Sequence, residues 1–222
     1  MTVQEIVTRV RAAIDELMEN DSQFLRQSTD EANLTRVIVD KIGYALQHIF
    51  MVAPLDMFDS SVYEEFTVGE MSSNFRIDSN LVGHVTLPTG LIRIVTAMLS
   101  SWSRFPIPES DTSQVYLMQQ DTYARGSWDR PVNILTAGHL EMYCAKEPTD
   151  TLKFVFIRKP TATYSPDSPS TVVNCPAALE ASLIYQIAGL SMVAFREDMA
   201  ASLFAIAERY LDPGQAKEAN NE

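Results

Sequence analysis

Two segments near the start of the chain repeat apolar residues at the spacing of an α-helix, which predicts two amphipathic helices with one buried face each. The apolar positions of the first are Val3, Ile6, Val7, Val10, Ile14, Leu17 and Met18. The apolar positions of the second are Leu34, Val37, Ile38, Ile42, Ala45 and Ile49. Thr2 with Glu5, and Ser28 with Glu31, have the spacing of a capping box at each start. The second helix should end before Pro54, because the residue preceding a proline avoids the helical conformation.

The middle of the chain changes to the patterns of β-strands. Apolar or alternating runs predict strands at Phe75–Ile77, Leu81–Leu87, Leu91–Leu99, Val132–Thr136, His139–Ala145 and Leu152–Ile157. Ala137 and Gly138 separate two of these runs and predict a hairpin turn. Residues 104–108 contain two prolines, which cannot donate to a strand ladder, so this stretch should cross the surface. Residues 110–120 are compatible with a short helix.

Helical spacing returns after a loop rich in proline, serine and threonine at residues 161–170. Pro176 suits the first turn of a helix, and the charged residues 196–198 separate two apolar stripes. The stripes consist of Leu179, Leu183, Ile184, Ile187 and Leu190, and then of Met199, Leu203, Ile206, Ala207 and Tyr210. This predicts two helices or one bent helix, followed by a flexible polar tail at residues 213–222.

Together these patterns predict an α+β fold. Each helix has a single apolar stripe that must be buried against another element, so the helices of residues 1–54 and 171–212 should form one bundle. Gly43 lies inside the second helix and predicts the close approach of a neighbouring helix. Residues 55–170 should form a central, antiparallel β-rich insertion.

The charge of the chain narrows the classes of function. The 222 residues have a formal net charge of −12, whereas binding to a nucleic-acid backbone or an anionic membrane requires clustered Lys and Arg. A channel wall with acidic side chains is nevertheless compatible with DNA that passes through the channel without being bound. The longest uncharged apolar stretch, Ala181–Phe195, is too short to span a bilayer, and the first residues lack the pattern of a signal peptide. We therefore expect a soluble protein with no membrane partner, made inside a cell.

The sequence contains no pattern that indicates catalysis, a metal or a cofactor. His48, His84 and His139 are far apart in sequence and lack the spacing of metal ligands. There is no serine elbow and no phosphate-binding loop. Cys144 follows His139 by five positions in a predicted strand, so the two side chains should point to opposite faces. Two free thiols, Cys144 and Cys175, are favoured over a disulfide. We expect a protein that is not an enzyme and has no cofactor.

Two groups of side chains are candidates for interaction surfaces. Aromatic and basic residues cluster around Gly126. This cluster is compatible with base stacking, with a subunit contact and with packing at a strand edge. With two residues upstream, the candidate subunit interface consists of Trp102, Arg104, Tyr123, Arg125, Trp128 and Arg130. The stretch 56–78 is acidic and lacks the spacing of a calcium-binding loop, so a solvated loop or exposed hairpin is favoured over a metal site.

The order of these features resembles the head-to-tail adaptor proteins of short-tailed bacteriophages, the tail tubular protein A type, including ring proteins of crAss-like phages. The landmarks of the resemblance are Leu87-Pro88, Leu91-Ile92-Arg93, Trp102, Gln119-Gln120, Arg125-Gly126, Arg130-Pro131, Leu140–Tyr143, Pro160, Ala188 and Glu197. The resemblance covers most of residues 1–211. The acidic stretch 56–78 departs from it.

This resemblance implies a structural virion protein, made in the bacterial cytoplasm, that forms a homo-oligomeric ring of roughly twelve copies below the portal. The implied partners are further copies of itself, the portal protein, other tail or ring proteins, and DNA that passes through the channel. The acidic residues expected to line this channel or to face a partner are Asp56, Asp59, Glu64, Glu65 and Glu70. Two alternatives stay open at this point: a monomeric protein-binding module without catalytic activity, and a hydrolase that acts through scattered carboxylates.

Overall fold

The structure is a computed structural model that describes residues 1–17, 28–68, 73–121 and 123–212. The described residues form an α+β fold, as predicted, with five α-helices and two β-sheets. The chain divides into two compact units. The described residues of Met1–Val62 and Lys159–Glu222 form the helical unit, and those of Tyr63–Arg158 form the β unit. The division into a bundle of residues 1–54 and 171–212 with an insertion of residues 55–170 stays a prediction about domains.

The α-helices follow the apolar stripes of the sequence. Their bounds are α1 (Val3–Leu17), α2 (Ser28–Val52), α3 (Gln114–Met118), α4 (Glu180–Met192) and α5 (Glu197–Arg209). The predicted capping box of α1 is confirmed: the backbone N–H of Glu5 donates to Thr2 Oγ1 over 3.2 Å, and the backbone N–H of Thr2 donates to Glu5 Oε2 over 2.8 Å. In the helical unit α4 contacts α1, α2 and α5, so nearly its whole circumference is buried.

The glycine that permits close helix packing is Gly189 in α4, and the prediction for Gly43 in α2 is wrong. A Cβ atom added to Gly43 would have no neighbouring atom within 4 Å. A Cβ atom added to Gly189 would lie 2.5 Å from Cε1 of Phe204 in α5. The Phe204 ring therefore occupies the space that any side chain at residue 189 would need.

The β unit contains two sheets. The strands are β1 (Tyr63–Val68), β2 (Phe75–Ile77), β3 (Gly83–Thr86), β4 (Leu91–Leu99), β5 (Pro108–Ser110), β6 (Val132–Thr136), β7 (His139–Tyr143) and β8 (Leu152–Arg158). The three-stranded sheet has the order β1-β8-β4, and the five-stranded sheet has the order β2-β3-β7-β6-β5. All neighbours are antiparallel except β5 and β6. The predicted hairpin between β6 and β7 is confirmed, and Gly138 in its turn has a φ of 94°, a conformation that favours glycine.

Two stretches differ from their sequence-based interpretation. Residues 104–107 form no strand, as predicted, but Pro108 begins strand β5; proline is tolerated there because β5 is at the sheet edge. In the described residues of the acidic stretch, β1 and β2 do not form a hairpin, because they belong to different sheets and β1 pairs with β8. Long-range pairing of this kind has no local signal in the sequence.

Apolar side chains of both sheets share a core between them. The five-stranded sheet contributes Phe75, Val85, Leu140 and Met142, and the three-stranded sheet contributes Ala97, Leu99, Leu152, Phe154 and Phe156. Each strand presents alternate residues to this core, so its remaining residues lie on the opposite face of the sheet. The opposite face of the five-stranded sheet presents polar residues of β3 and β7, which include His84 and Glu141.

Candidate functional site

The segment that connects β5 to β6 is a folded loop that presents apolar side chains to solvent. Its start is fixed by Ser113, whose Oγ accepts a hydrogen bond from the backbone N–H of Tyr116 and caps α3. Gln119 is buried; its Nε2 donates to the carbonyl of Val115 over 2.8 Å, and its Oε1 accepts from the N–H of Gly126 over 2.8 Å. A buried side chain with both ends satisfied holds the loop against the end of α3.

Five apolar side chains of residues 107–130, which we call the 107–130 segment, are exposed. The exposed fractions are 78% for Ile107, 66% for Leu117, 45% for Met118, 99% for Tyr123 and 45% for Trp128. Large apolar side chains that cluster on a surface are typical of a site that another molecule covers.

The six residues predicted at a subunit interface fall into two groups. Trp102 is buried, and its indole Nε1 donates to the carbonyl of Cys144 over 2.9 Å, so its side chain serves the core of the β unit. Arg125 also turns inwards: its Nη2 donates to the carbonyl of Asn80 over 2.8 Å, and its guanidinium lies 5.2 Å from the centre of the Tyr143 ring.

The other four residues are on the surface. Arg104, Tyr123, Trp128 and Arg130 are exposed. Lys146 lies 5.1 Å above the ring of Trp128, a distance at which a cation is attracted to an aromatic face. These four side chains, rather than all six, can contact another molecule without rearrangement of the core.

The acidic residues predicted to face a channel or a partner are also found in different parts of the structure. Asp56 and Asp59 are exposed in the helical unit, whereas Glu64 and Glu65 are exposed on β1 of the β unit. Glu70 lies outside the described residues. An ion pair of 2.8 Å joins Glu64 to Arg158, and one of 3.5 Å joins Glu65 to Lys153. Each cation offsets part of the negative charge that β1 presents.

Strand pairing brings together two histidines that the sequence separates. His84 of β3 is directly opposite Glu141 of β7, and His139 lies two residues before Glu141 on the same face. One ligand atom from each of these three side chains lies within 4.8 Å of the other two. The signal available in the sequence was the alternation of His139 and Glu141 on one strand face; the position of His84 depends on the pairing of β3 with β7.

Burial raises the pKa of each thiol, which argues against a role as a nucleophile. For Cys144 the shift is caused by burial, which outweighs the opposing effect of Arg125. For Cys175 burial and then the charge of Glu180 raise the pKa to about 12. Both thiols are free, as predicted, and remain protonated near neutral pH.

None of the helices in the described ranges combines the length and apolarity required to cross a membrane. A comparison with protein families matches residues 1–220 to the family described as SU10 adaptor protein. A search of curated proteins finds no match. The family match includes both units of the chain and the 107–130 segment.

Proposed function

The chain belongs to the SU10 adaptor protein family, a family of phage structural proteins, and on that premise we propose that it forms a ring in the head-to-tail connector of a bacteriophage. In this proposal the ring lies below the portal, surrounds a channel for the genome and carries tail components. Roughly twelve copies are proposed because the resemblance to head-to-tail adaptors implies that number; heterologous contacts between copies close into a ring when their rotation closes. The single observation that carries the proposal is the family match over residues 1–220, which spans both units.

The proposed contact between neighbouring copies uses the 107–130 segment. Tyr123 and Trp128 are aromatic and exposed, and the backbone of Gly126 between them is bonded to the buried Gln119. Aromatic side chains often dominate the binding energy of an interface, and the loss of one such residue costs about 2 kcal/mol or more. Arg104 and Arg130 are the cations of the proposed interface.

The proposed channel surface includes Asp56 and Asp59, which are exposed. A negative wall repels the phosphate backbone, so DNA can move past it without being trapped. Glu64 and Glu65 contribute less to such a wall, because each forms an ion pair with a cation of β8. Replacement of Asp56 and Asp59 by Lys in the phage should slow genome delivery, and unchanged infectivity would contradict this assignment.

The proposed role is mechanical and requires no chemical step. The two cysteines are protonated near neutral pH because burial raises their pKa values. We further propose that the protein is made in the host cytoplasm and ends in the virion, with the portal protein and other tail proteins as partners.

The test is negative-stain electron microscopy of the purified chain, alone and mixed with the portal protein of the same phage. Rings in either sample are the expected result, and their symmetry gives the copy number. Small featureless particles in both samples would overturn the ring proposal and favour a monomeric protein-binding module.

A pair of variants tests the proposed contact. Tyr123→Ala combined with Trp128→Ala should reduce ring formation more than tenfold, as follows from a loss of about 2 kcal/mol or more per contact. The matched control is Tyr44→Ala, which removes an aromatic side chain that is 69% exposed in the helical unit. If the control abolishes rings and the double variant does not, the contact lies elsewhere and the assignment of the 107–130 segment is wrong.

A further inference from the structure

The pairing of β3 with β7 places two imidazoles and a carboxylate on one face of the five-stranded sheet. His84 and Glu141 are directly opposite each other in the register. His139 pairs with Thr86 and therefore lies diagonally across from His84. The neighbouring residues Val85, Leu140 and Met142 point to the other face and belong to the core. The positions of His84, His139 and Glu141 are thus fixed by the same strands that build the core.

The separations fit the first coordination shell of a small divalent metal ion. The Nε2 atom of His139 lies 3.5 Å from Oε1 of Glu141. Two ligands of a tetrahedral ion with bonds of about 2.0–2.1 Å are about 3.4 Å apart, so this pair already has the required spacing. All three ligand atoms lie within 4.8 Å of one another. The side chain of His139 is 44% exposed, so its ring can rotate and bring the three ligand atoms closer together.

Two further side chains hold the candidate ligands in orientation. Nε2 of His84 lies 3.3 Å from Oδ2 of Asp78. The hydroxyl of Tyr143 donates to Oε2 of Glu141 over 2.7 Å, and it leaves Oε1, the oxygen near His139, available. Partners of this type orient and polarise the ligands of protein metal sites.

These partners are themselves fixed. Oδ1 of Asp78 accepts hydrogen bonds from the backbone N–H groups of Asn80 and Val82 over 2.8 and 2.9 Å, which leaves Oδ2 facing His84. Tyr143 is buried, and the guanidinium of Arg125 lies 5.2 Å from the centre of its ring. Packing and hydrogen bonds therefore hold both residues beside the candidate ligands.

We propose that His84, His139 and Glu141 bind a divalent transition-metal ion of the Zn²⁺ class, with a solvent molecule as the fourth ligand. Two imidazole nitrogens with one carboxylate suit Zn²⁺, Co²⁺ or Ni²⁺, whereas Ca²⁺ and Mg²⁺ take oxygen ligands. The bound ion crosslinks β3 and β7. This inference is independent of the proposed ring, because every ligand comes from one copy of the chain.

Solvent reaches the proposed site through a pocket of about 540 Å³ that is lined by both histidines. Arg76 also lines the pocket and is opposite His84 in the pairing of β2 with β3. Its positive charge opposes a bound cation, whereas Glu141 and Asp78 favour one. Arg76→Gln should therefore leave the affinity for the metal unchanged or raise it.

The test uses the full-length, tag-free protein. Zn²⁺ is titrated in competition with a chromophoric chelator, and Co²⁺ binding is followed by its visible absorption, which reports the coordination geometry. The expected result is one ion per chain. His84→Ala and His139→Ala should each weaken binding at least tenfold, and Tyr143→Phe, which removes only the hydroxyl, should weaken it roughly 10–100-fold as an orienting partner does.

Matched controls separate this site from adventitious binding. His48→Ala removes the exposed histidine of α2, and Cys144→Ser removes the thiol nearest in sequence to β7; neither should change the affinity. Glu141→Gln, which keeps the shape of the side chain, should weaken binding while the circular dichroism spectrum stays that of the unmodified chain. No stoichiometric binding, or an equal loss in His48→Ala and His84→Ala, would overturn the proposal.

Discussion

Gly189 and Gly43 provide a matched pair of substitutions that measures how closely α4 and α5 pack. Both glycines lie inside helices, so replacement by Ala increases helix propensity at both sites by roughly 1 kcal/mol. Their surroundings differ. A new Cβ at residue 43 meets no atom within 4 Å, whereas a new Cβ at residue 189 lies 2.5 Å from Cε1 and 2.6 Å from Cδ1 of Phe204.

The difference between the two variants isolates the cost of the clash, because the gain in helix propensity is common to both. Gly43→Ala should raise the free energy of unfolding by up to about 1 kcal/mol. At residue 189 the Phe204 ring must move, and overpacking of this kind costs typically about 1–3 kcal/mol. Gly189→Ala should therefore have a free energy of unfolding about 1–3 kcal/mol below that of Gly43→Ala.

Urea unfolding followed by the helical circular dichroism signal measures both free energies. Combining Gly189→Ala with Phe204→Leu tests the cause: a coupling of about 0.5–3 kcal/mol between the two substitutions is expected if the ring is the obstacle. Equal effects of Gly43→Ala and Gly189→Ala, or no coupling with Phe204→Leu, would refute the reasoning.

Two further predictions concern buried groups. Asp150 is buried and accepts hydrogen bonds from Ser100, Ser101 and the backbone N–H groups of Lys146 and Glu147. Asp150→Ala should therefore lower the free energy of unfolding, measured by urea titration, by more than about 2 kcal/mol. The control Asp111→Ala, at an exposed position, should change it little. Burial raises the pKa of Cys175 to about 12, so the thiol is protonated near neutral pH. Alkylation by iodoacetamide at neutral pH, followed by mass spectrometry, should therefore be slow in the folded chain and fast in urea, and equal rates would contradict this.

The parts of the fold that could be predicted from the sequence are those with local signals. The stripe of α1 and its capping box depend on residues three or four positions apart, and the hairpin at Gly138 depends on adjacent residues. Strand β4 has the predicted bounds Leu91–Leu99. It could be predicted because a long apolar run indicates a buried strand without information from other parts of the chain. These features need no knowledge of which elements meet.

The parts that could not be predicted depend on long-range pairing. The pairing of β1 with β8 joins residues that are far apart in sequence, so the acidic stretch could only be interpreted as a loop or hairpin. Trp102 illustrates the same point for a site residue. Aromatic residues are common both at interfaces and in cores, and only the fold shows that Trp102 is 3% exposed and donates to the carbonyl of Cys144. Likewise, the sequence gives no indication that Phe204 fills the space beside Gly189.

The pairing of β3 with β7 explains why the sequence did not predict the cluster of His84, His139 and Glu141. It also allows this cluster to be tested without disturbing the fold. Because side chains alternate across a strand, a single register sends Val85 and Leu140 into the core and His84 and Glu141 to the opposite face. A slip of one residue would exchange the two faces, so the apolar core enforces the register that brings the polar groups together. Substitutions on the polar face leave the core contacts intact. We therefore expect substitutions at His84 and His139 to weaken metal binding while β3 and β7 stay paired. If the unmodified chain binds no metal, the proposed site is wrong.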